Sequence, residues 1–159
     1  MSAIDKAIAL ALNAHEGQVD KGGAPYILHP LRVMATVEQM CPDCPEEVLL
    51  AAVMHDVIED SFYHQRDIEN AMTQAGCLPE TAFQAALLVL HLTKQDGQSE
   101  EEYYDQIKDS EYACYIKLAD LRDNMDISRL SVIGETDLVR INNYKRREQE
   151  IIAAIANFN

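Results

Sequence analysis

Basic residues are scarce in this chain: 13 Lys and Arg stand against 27 Asp and Glu, a formal net charge of −14. Binding along a phosphate backbone needs clustered Lys and Arg, so nucleic acid is not an expected partner. A small anionic substrate stays compatible, provided a metal and a few placed basic side chains offset its charge. Long apolar runs are missing too. None approaches the roughly 18 residues of a membrane span, so no membrane partner is expected. The start, Met-Ser-Ala-Ile-Asp-Lys, lacks the basic-then-apolar order of an export signal, and the cytoplasm is the expected compartment. No segment alternates with a period of two, which argues against strands. There is no internal repeat and no low-complexity tract. A second close pair of cysteines is also lacking. Cys41 and Cys44 form a Cys-Pro-Asp-Cys element, but Cys77 and Cys114 are isolated. A structural zinc site needs four ligands, so the pair reads as a turn with two reduced thiols.

What is present is ordinary globular composition, 48% hydrophobic and 25% charged, in a length that suits one domain over residues 1–159. Helical spacing recurs along the chain. It predicts helices over Ile4 to His15, Leu31 to Met40, Pro45 to Glu59, Asp67 to Gln74, Thr81 to Leu92, Tyr112 to Met125 and Asp137 to Phe158. Ser99-Glu100-Glu101-Glu102 matches the capping box and predicts a further helix through Lys108, with its acidic run as a solvated face. The loop from Gln18 to Pro30 is marked by Gly22, Gly23 and Pro25. Pro30 suits a first helical position, which puts His29 at the N-cap. An all-α single domain of about seven to eight helices follows.

The chemistry centres on Ala51-Ala52-Val53-Met54-His55-Asp56-Val57-Ile58-Glu59-Asp60. An apolar stretch ends in one imidazole and three carboxylates. On a helix, His55 and Glu59 share a face, as do Asp56 and Asp60. Such a group is costly to bury without a partner, and a divalent cation is the obvious one. Two further anchors are His29 before Pro30, and Asp120 in Ile116-Lys117-Leu118-Ala119-Asp120. Lys117, Asp120 and Asn124 fall on one face of a largely apolar helix and resemble a site wall. Two imidazoles and two carboxylates form a mixed N/O set that suits manganese, iron or zinc more than calcium. Bound to such a metal, water loses a proton more readily. His15, closing the first helix, is read as a hydrogen-bonding residue rather than a ligand.

The order His, His-Asp, Asp resembles the HD-domain phosphohydrolases, and more closely the hydrolase half of the RelA/SpoT proteins and the small alarmone hydrolases. The carrying segments are His15-Glu16-Gly17-Gln18, Lys21 to Pro30 (Lys-Gly-Gly-Ala-Pro-Tyr-Ile-Leu-His-Pro), His55 to Asp60 and Lys117 to Asn124. The resemblance implies an HD-type helical bundle. It implies His29, His55, Asp56 and Asp120 as ligands of one metal, usually manganese, with iron, zinc or magnesium as alternatives. Glu59 and Asp60 match the pair that handles the attacking water. Lys21, Tyr26 and Asn124 fall on the substrate side, with Arg129 or Arg122 to offset charge. The implied reaction is hydrolysis of the 3′-pyrophosphate of guanosine tetra- or pentaphosphate to GDP or GTP and pyrophosphate. The chain departs from the family at Asp20, where Arg is common, at Asp123, where an aromatic or imidazole is frequent, and at Ser61, where Thr is frequent. Both acids replace groups that could favour a guanine nucleotide. Another nucleotide ester (an adenosine alarmone, a nucleoside monophosphate or NADPH) and a non-catalytic nucleotide-binding regulator are the alternative readings.

Overall fold

A computed structural model describes residues 1–158. Its elements are α1 (Ala3–Ala14), α2 (Leu28–Met40), α3 (Glu46–Met54), α4 (Gln65–Gln74), α5 (Pro79–Leu92), α6 (Glu100–Lys108), α7 (Glu111–Met125), a 3-10 turn (Ile127–Arg129) and α8 (Glu135–Ala156). Among the described residues the only β pairing is an isolated bridge between Val19 and Pro25. The all-α expectation holds. No helix is long and apolar enough to cross a membrane among these residues.

Local chemistry sets several boundaries. Ser2 caps α1, its Oγ accepting from Asp5 N while Asp5 accepts from Ser2 N. Ser99 and Glu102 close the same box on α6 as the sequence predicts. Most boundaries shift by one or two residues from expectation, and two of the differences bear on the site. Helix α2 begins at Leu28, so His29 lies inside its first turn rather than at the N-cap. The N–H groups of a first turn have no intrahelical partner, so Pro30 is tolerated past the first position. Helix α3 stops at Met54 instead of running to Glu59. There the His55 ring takes the Ala52 carbonyl through Nδ1 at 2.9 Å, an acceptor that a continuing helix would offer to the Asp56 N–H. Residues 55–60 continue as turns, closed by Val57 N to Met54 O and Asp60 N to Asp56 O.

The thiol expectation is corrected as well. Cys41 and Cys44 are joined by a disulfide, their Cα atoms 5.3 Å apart. The two-residue Pro-Asp turn between α2 and α3 brings them within bridging distance. Cys77 and Cys114 are free.

Helix α3 is the central strut, with Val48, Leu50, Ala51, Ala52, Val53 and Met54 all buried. It packs against α1, α2, α5 and α7, and α7 packs against α2 and α8. The mutual contact of α2, α3 and α7 matters for function, because each carries one part of the predicted metal set.

The acidic start of α6 is less free than the sequence predicts. Arg147 of α8 is fully buried and gathers it. Its guanidinium meets Glu101 in a two-bond fork at 2.6 and 3.0 Å, Glu100 at 3.1 Å and Glu150 at 2.8 Å. It also lies 4.3 Å from the Tyr104 ring centroid. Because the carboxylates are partly solvated, the value of this clamp is chiefly in packing the Arg stem and face. Arg147→Ala is expected to destabilise the fold by about 2–3 kcal/mol, lowering Tm by roughly 5–10 °C. Calorimetry with an unchanged far-UV CD spectrum checks it.

Candidate metal centre

Four side chains converge where α2, the end of α3 and α7 meet. His29 Nε2 lies 3.2 Å from Asp120 Oδ1 and 3.7 Å from Asp56 Oδ2. His55 Nε2 lies 3.0 Å from Asp56 Oδ2 and 3.7 Å from Asp120 Oδ1. The donor atoms of His29, His55 and Asp120 all fall within 4.8 Å of one another. Both histidines and Asp120 are buried.

The buried Nε2 atoms of His29 and His55 have no hydrogen-bond partner. A native interior rarely leaves such atoms unpaired without a reason. Their Nδ1 atoms are engaged, on Asp123 Oδ2 at 2.7 Å and Ala52 O at 2.9 Å. A ring that donates through Nδ1 to such acceptors carries its lone pair on Nε2, aimed at the common centre. The carboxylates have settled charges. Burial opposes ionisation of Asp56, but His55 outweighs it and holds the carboxyl at about 2. Asp120 is held well below the usual range against burial, chiefly by Lys117. The same carboxylates draw positive charge onto the rings: His29 and His55 are raised above the usual imidazole value although burial works the other way. A divalent cation answers both the lone pairs and the negative charge, so the residues fit a metal.

Each donor has its own brace. The Tyr26 hydroxyl donates to Asp56 Oδ2 at 2.6 Å. Lys117 Nζ donates to Asp120 Oδ2 at 2.8 Å and Asn124 Nδ2 donates to Asp120 Oδ1 at 2.6 Å. Asp20 Oδ1 accepts from Gly22 N at 2.8 Å and Ala24 N at 3.0 Å, so it shapes the loop. A Cβ at Gly22 would stand 2.6 Å from Arg129 O, which is why that turn admits only glycine. His15 lies beside the site, its Nδ1 2.9 Å from Gln18 Oε1 and its ring centroid 4.7 Å from that of Tyr26, tilted by 49°.

A cleft of about 420 Å³ opens over the cluster. Lys21, Tyr26, Asp56, Glu59, Asp60, Asn124 and Arg129 line it, together with Arg140 and Tyr144. Glu59 and Asp60 are exposed there. Glu59 Oε2 accepts from Lys94 N at 3.1 Å. Partial desolvation and the charge of Asp56 raise the Asp60 carboxyl. A smaller cavity of about 100 Å³, lined by His55 and Lys94, shares Asp56, Glu59, Lys117 and Asp120 with the cleft.

The predicted site residues therefore come together, with differences in detail. Tyr26 and Asn124 touch Asp56 and Asp120 as well as the cleft. Arg129 is committed to Asp123 and Asp126. Arg122 lies elsewhere, bonded to Glu148 at 2.8 Å, and does not line the cleft. Asp123, expected to face the nucleotide, is turned to His29, Arg32 and Arg129. Its position three residues after Asp120 on α7 was the available signal. Arg140 and Tyr144, one turn apart on α8, were not singled out for the site.

Known proteins resemble this chain in part of its sequence and in its fold. The chain is 42% identical over 60 residues to a Haemophilus influenzae guanosine-3′,5′-bis(diphosphate) 3′-pyrophosphohydrolase, covering 38% of this chain and 9% of that one. It is 44% identical over 64 residues to the bifunctional (p)ppGpp synthase/hydrolase SpoT of Escherichia coli, covering 40% and 9%. A Myxococcus xanthus GTP pyrophosphokinase is 27% identical over 160 aligned positions, 97% of this chain and 20% of that one. The chain thus spans only a small part of the length of these curated relatives. A solved structure described as a metazoan ortholog of SpoT that hydrolyzes ppGpp shares the fold, with a TM-score of 0.75 at 22% identity over 98% of this chain and 86% of that one. The HD domain family model matches residues 7–108. That match spans His29, His55 and Asp56, and the packing of α7 adds Asp120 from beyond it; the chain belongs to the HD domain family.

Proposed function

We propose that this chain is a metal-dependent hydrolase that removes the 3′-pyrophosphate of guanosine tetra- or pentaphosphate, with manganese as its metal. The observation that carries the reading is the pair of buried Nε2 atoms without hydrogen bonds that face the carboxylates of Asp56 and Asp120, with His29, Asp56 and Asp120 lining the cleft and His55 the small cavity beside it. His29, His55, Asp56 and Asp120 would hold the ion. When bound, it polarises phosphoryl oxygens and makes water more acidic.

The chain's own residues do the rest. Glu59, exposed on the cleft wall and fixed by the Lys94 N–H, takes the proton of the attacking water. Asp60 beside it helps to orient that water. The water oxygen bonds the phosphorus attached to the ribose 3′ oxygen, the P–O3′ bond breaks, and the 3′ oxygen leaves with a proton returned from Glu59. Lys21 at the cleft mouth and the exposed edge of Arg129 offset the substrate's charge. Tyr26 and Asn124 keep Asp56 and Asp120 aimed while bordering the nucleotide. The names of the curated relatives support the choice of substrate. The cytoplasm is the proposed setting, where a nucleotide substrate is made. Neither nucleic acid nor a membrane enters this reading.

Product analysis tests it. Manganese-loaded protein is expected to convert guanosine tetraphosphate to GDP and pyrophosphate, read by ³¹P NMR. Pyrophosphate released from an adenosine alarmone, or orthophosphate from a nucleoside monophosphate or NADPH, with guanosine tetraphosphate intact, would move the activity to another nucleotide ester. Nucleotide binding without turnover under any divalent ion would favour a regulator.

A further inference from the structure

Asp123 stands where the metal cluster meets a guanidinium pair. Its Oδ2 faces His29 Nδ1 at 2.7 Å. Arg32, one turn beyond His29 on α2, grips both oxygens, with Nε on Oδ1 at 2.7 Å and Nη2 on Oδ2 at 3.1 Å. Arg129, beyond the end of α7, donates through Nη2 to the Asp123 carbonyl at 2.8 Å and to Oδ2 at 3.3 Å. The Asp123 side chain is 10% exposed, against 34% for Arg32. A carboxylate placed this way cannot turn toward a ligand in the cleft without releasing three partners.

We propose that Asp123 is the positioning residue of His29, and that Arg32 and Arg129 serve to hold Asp123 in place. The inference rests on the metal reading above and deepens it. An imidazole ligand whose second nitrogen donates to a carboxylate is fixed in orientation and made a better donor. The fork from Arg32 engages both Asp123 oxygens, and the charge-assisted bonds are the strong kind. Arg129 closes the arrangement from the far side, and its carbonyl lies against Gly22. The departure at Asp123 therefore acts on the metal rather than on the base of a nucleotide. His55, by contrast, is oriented by the neutral Ala52 carbonyl, so the two imidazoles receive unequal support.

Metal uptake by the metal-free protein tests this, using Mn²⁺ alone in titration calorimetry. Asp123→Ala is expected to weaken Mn²⁺ binding about 10- to 100-fold. Asp123→Asn keeps an acceptor oxygen and is expected to lose less, and it keeps the test open if the alanine variant does not fold. Arg32→Gln is expected to weaken binding by a smaller factor than Asp123→Ala. Unfolding of the metal-free variants, followed by CD, separates a folding defect from a metal defect. Wild-type affinity in folded Asp123→Ala or Asp123→Asn would overturn the inference. So would a variant that changes only KM for a nucleotide. A wild-type protein that takes up no Mn²⁺ would overturn the metal reading beneath it, and this inference with it.

Discussion

Replacing His55 with Ala is expected to remove both the metal and the activity. His55 caps the buried end of α3, and its Nε2 makes no hydrogen bond while facing Asp56 Oδ2 at 3.0 Å and Asp120 Oδ1 at 3.7 Å. Its loss leaves Asp56 and Asp120 facing each other with one imidazole fewer between them. Losing a direct ligand should cost more than the roughly 10- to 100-fold in affinity attributed to losing an orienting group. Mn²⁺ titration should show no uptake at concentrations that saturate the wild type, and no product should form. Retained helical CD would show that the loss is local. From Val48 to Met54, α3 is apolar, and the helix packs on α1, α2, α5 and α7, so the bundle has no need of the His55 ring for its core.

Glu59→Gln is expected to separate the two jobs of this stretch. Glu59 touches none of the four proposed ligand side chains through a hydrogen bond, and its Oε2 accepts from the Lys94 N–H. Glutamine keeps that acceptor and the shape, and removes the base. Mn²⁺ affinity should stay near wild type. The turnover number should fall by about 10²- to 10⁴-fold, the range for a positioned general base, with KM little changed. A variant that instead loses metal would make Glu59 a ligand, and the division between His55-Asp56 and Glu59-Asp60 would collapse.

Local signals proved the most legible. The Ser99 capping box, the helical periods and the alignment of Lys117, Asp120 and Asn124 depend on neighbours within one or two turns, and each appears where the sequence places it. Errors arose where a side chain or a proline competes with the backbone. Pro30 is accommodated in the first turn of α2, and His55 takes the carbonyl that would have extended α3. For Cys41 and Cys44 the lack of a second close cysteine pair argues only against zinc, whereas the short turn between them decides their pairing. Arg147 was invisible for another reason. It sits among Arg146 and Lys145 on a charged helix, and only the docking of α8 on α6 shows that it alone is buried. Asp123 is the instructive case at the site. Its spacing from Asp120 put it on the correct face, but its partner His29 comes from a distant helix that no spacing on α7 reveals.

The most direct measurement is a crystal of the Mn²⁺-loaded protein with diffraction data collected at the manganese edge. The expected result is one anomalous peak per chain, bounded by Nε2 of His29, Nε2 of His55 and the carboxylates of Asp56 and Asp120. An absent peak, or one seated on Glu59 and Asp60 with the two imidazoles unligated, would contradict the account.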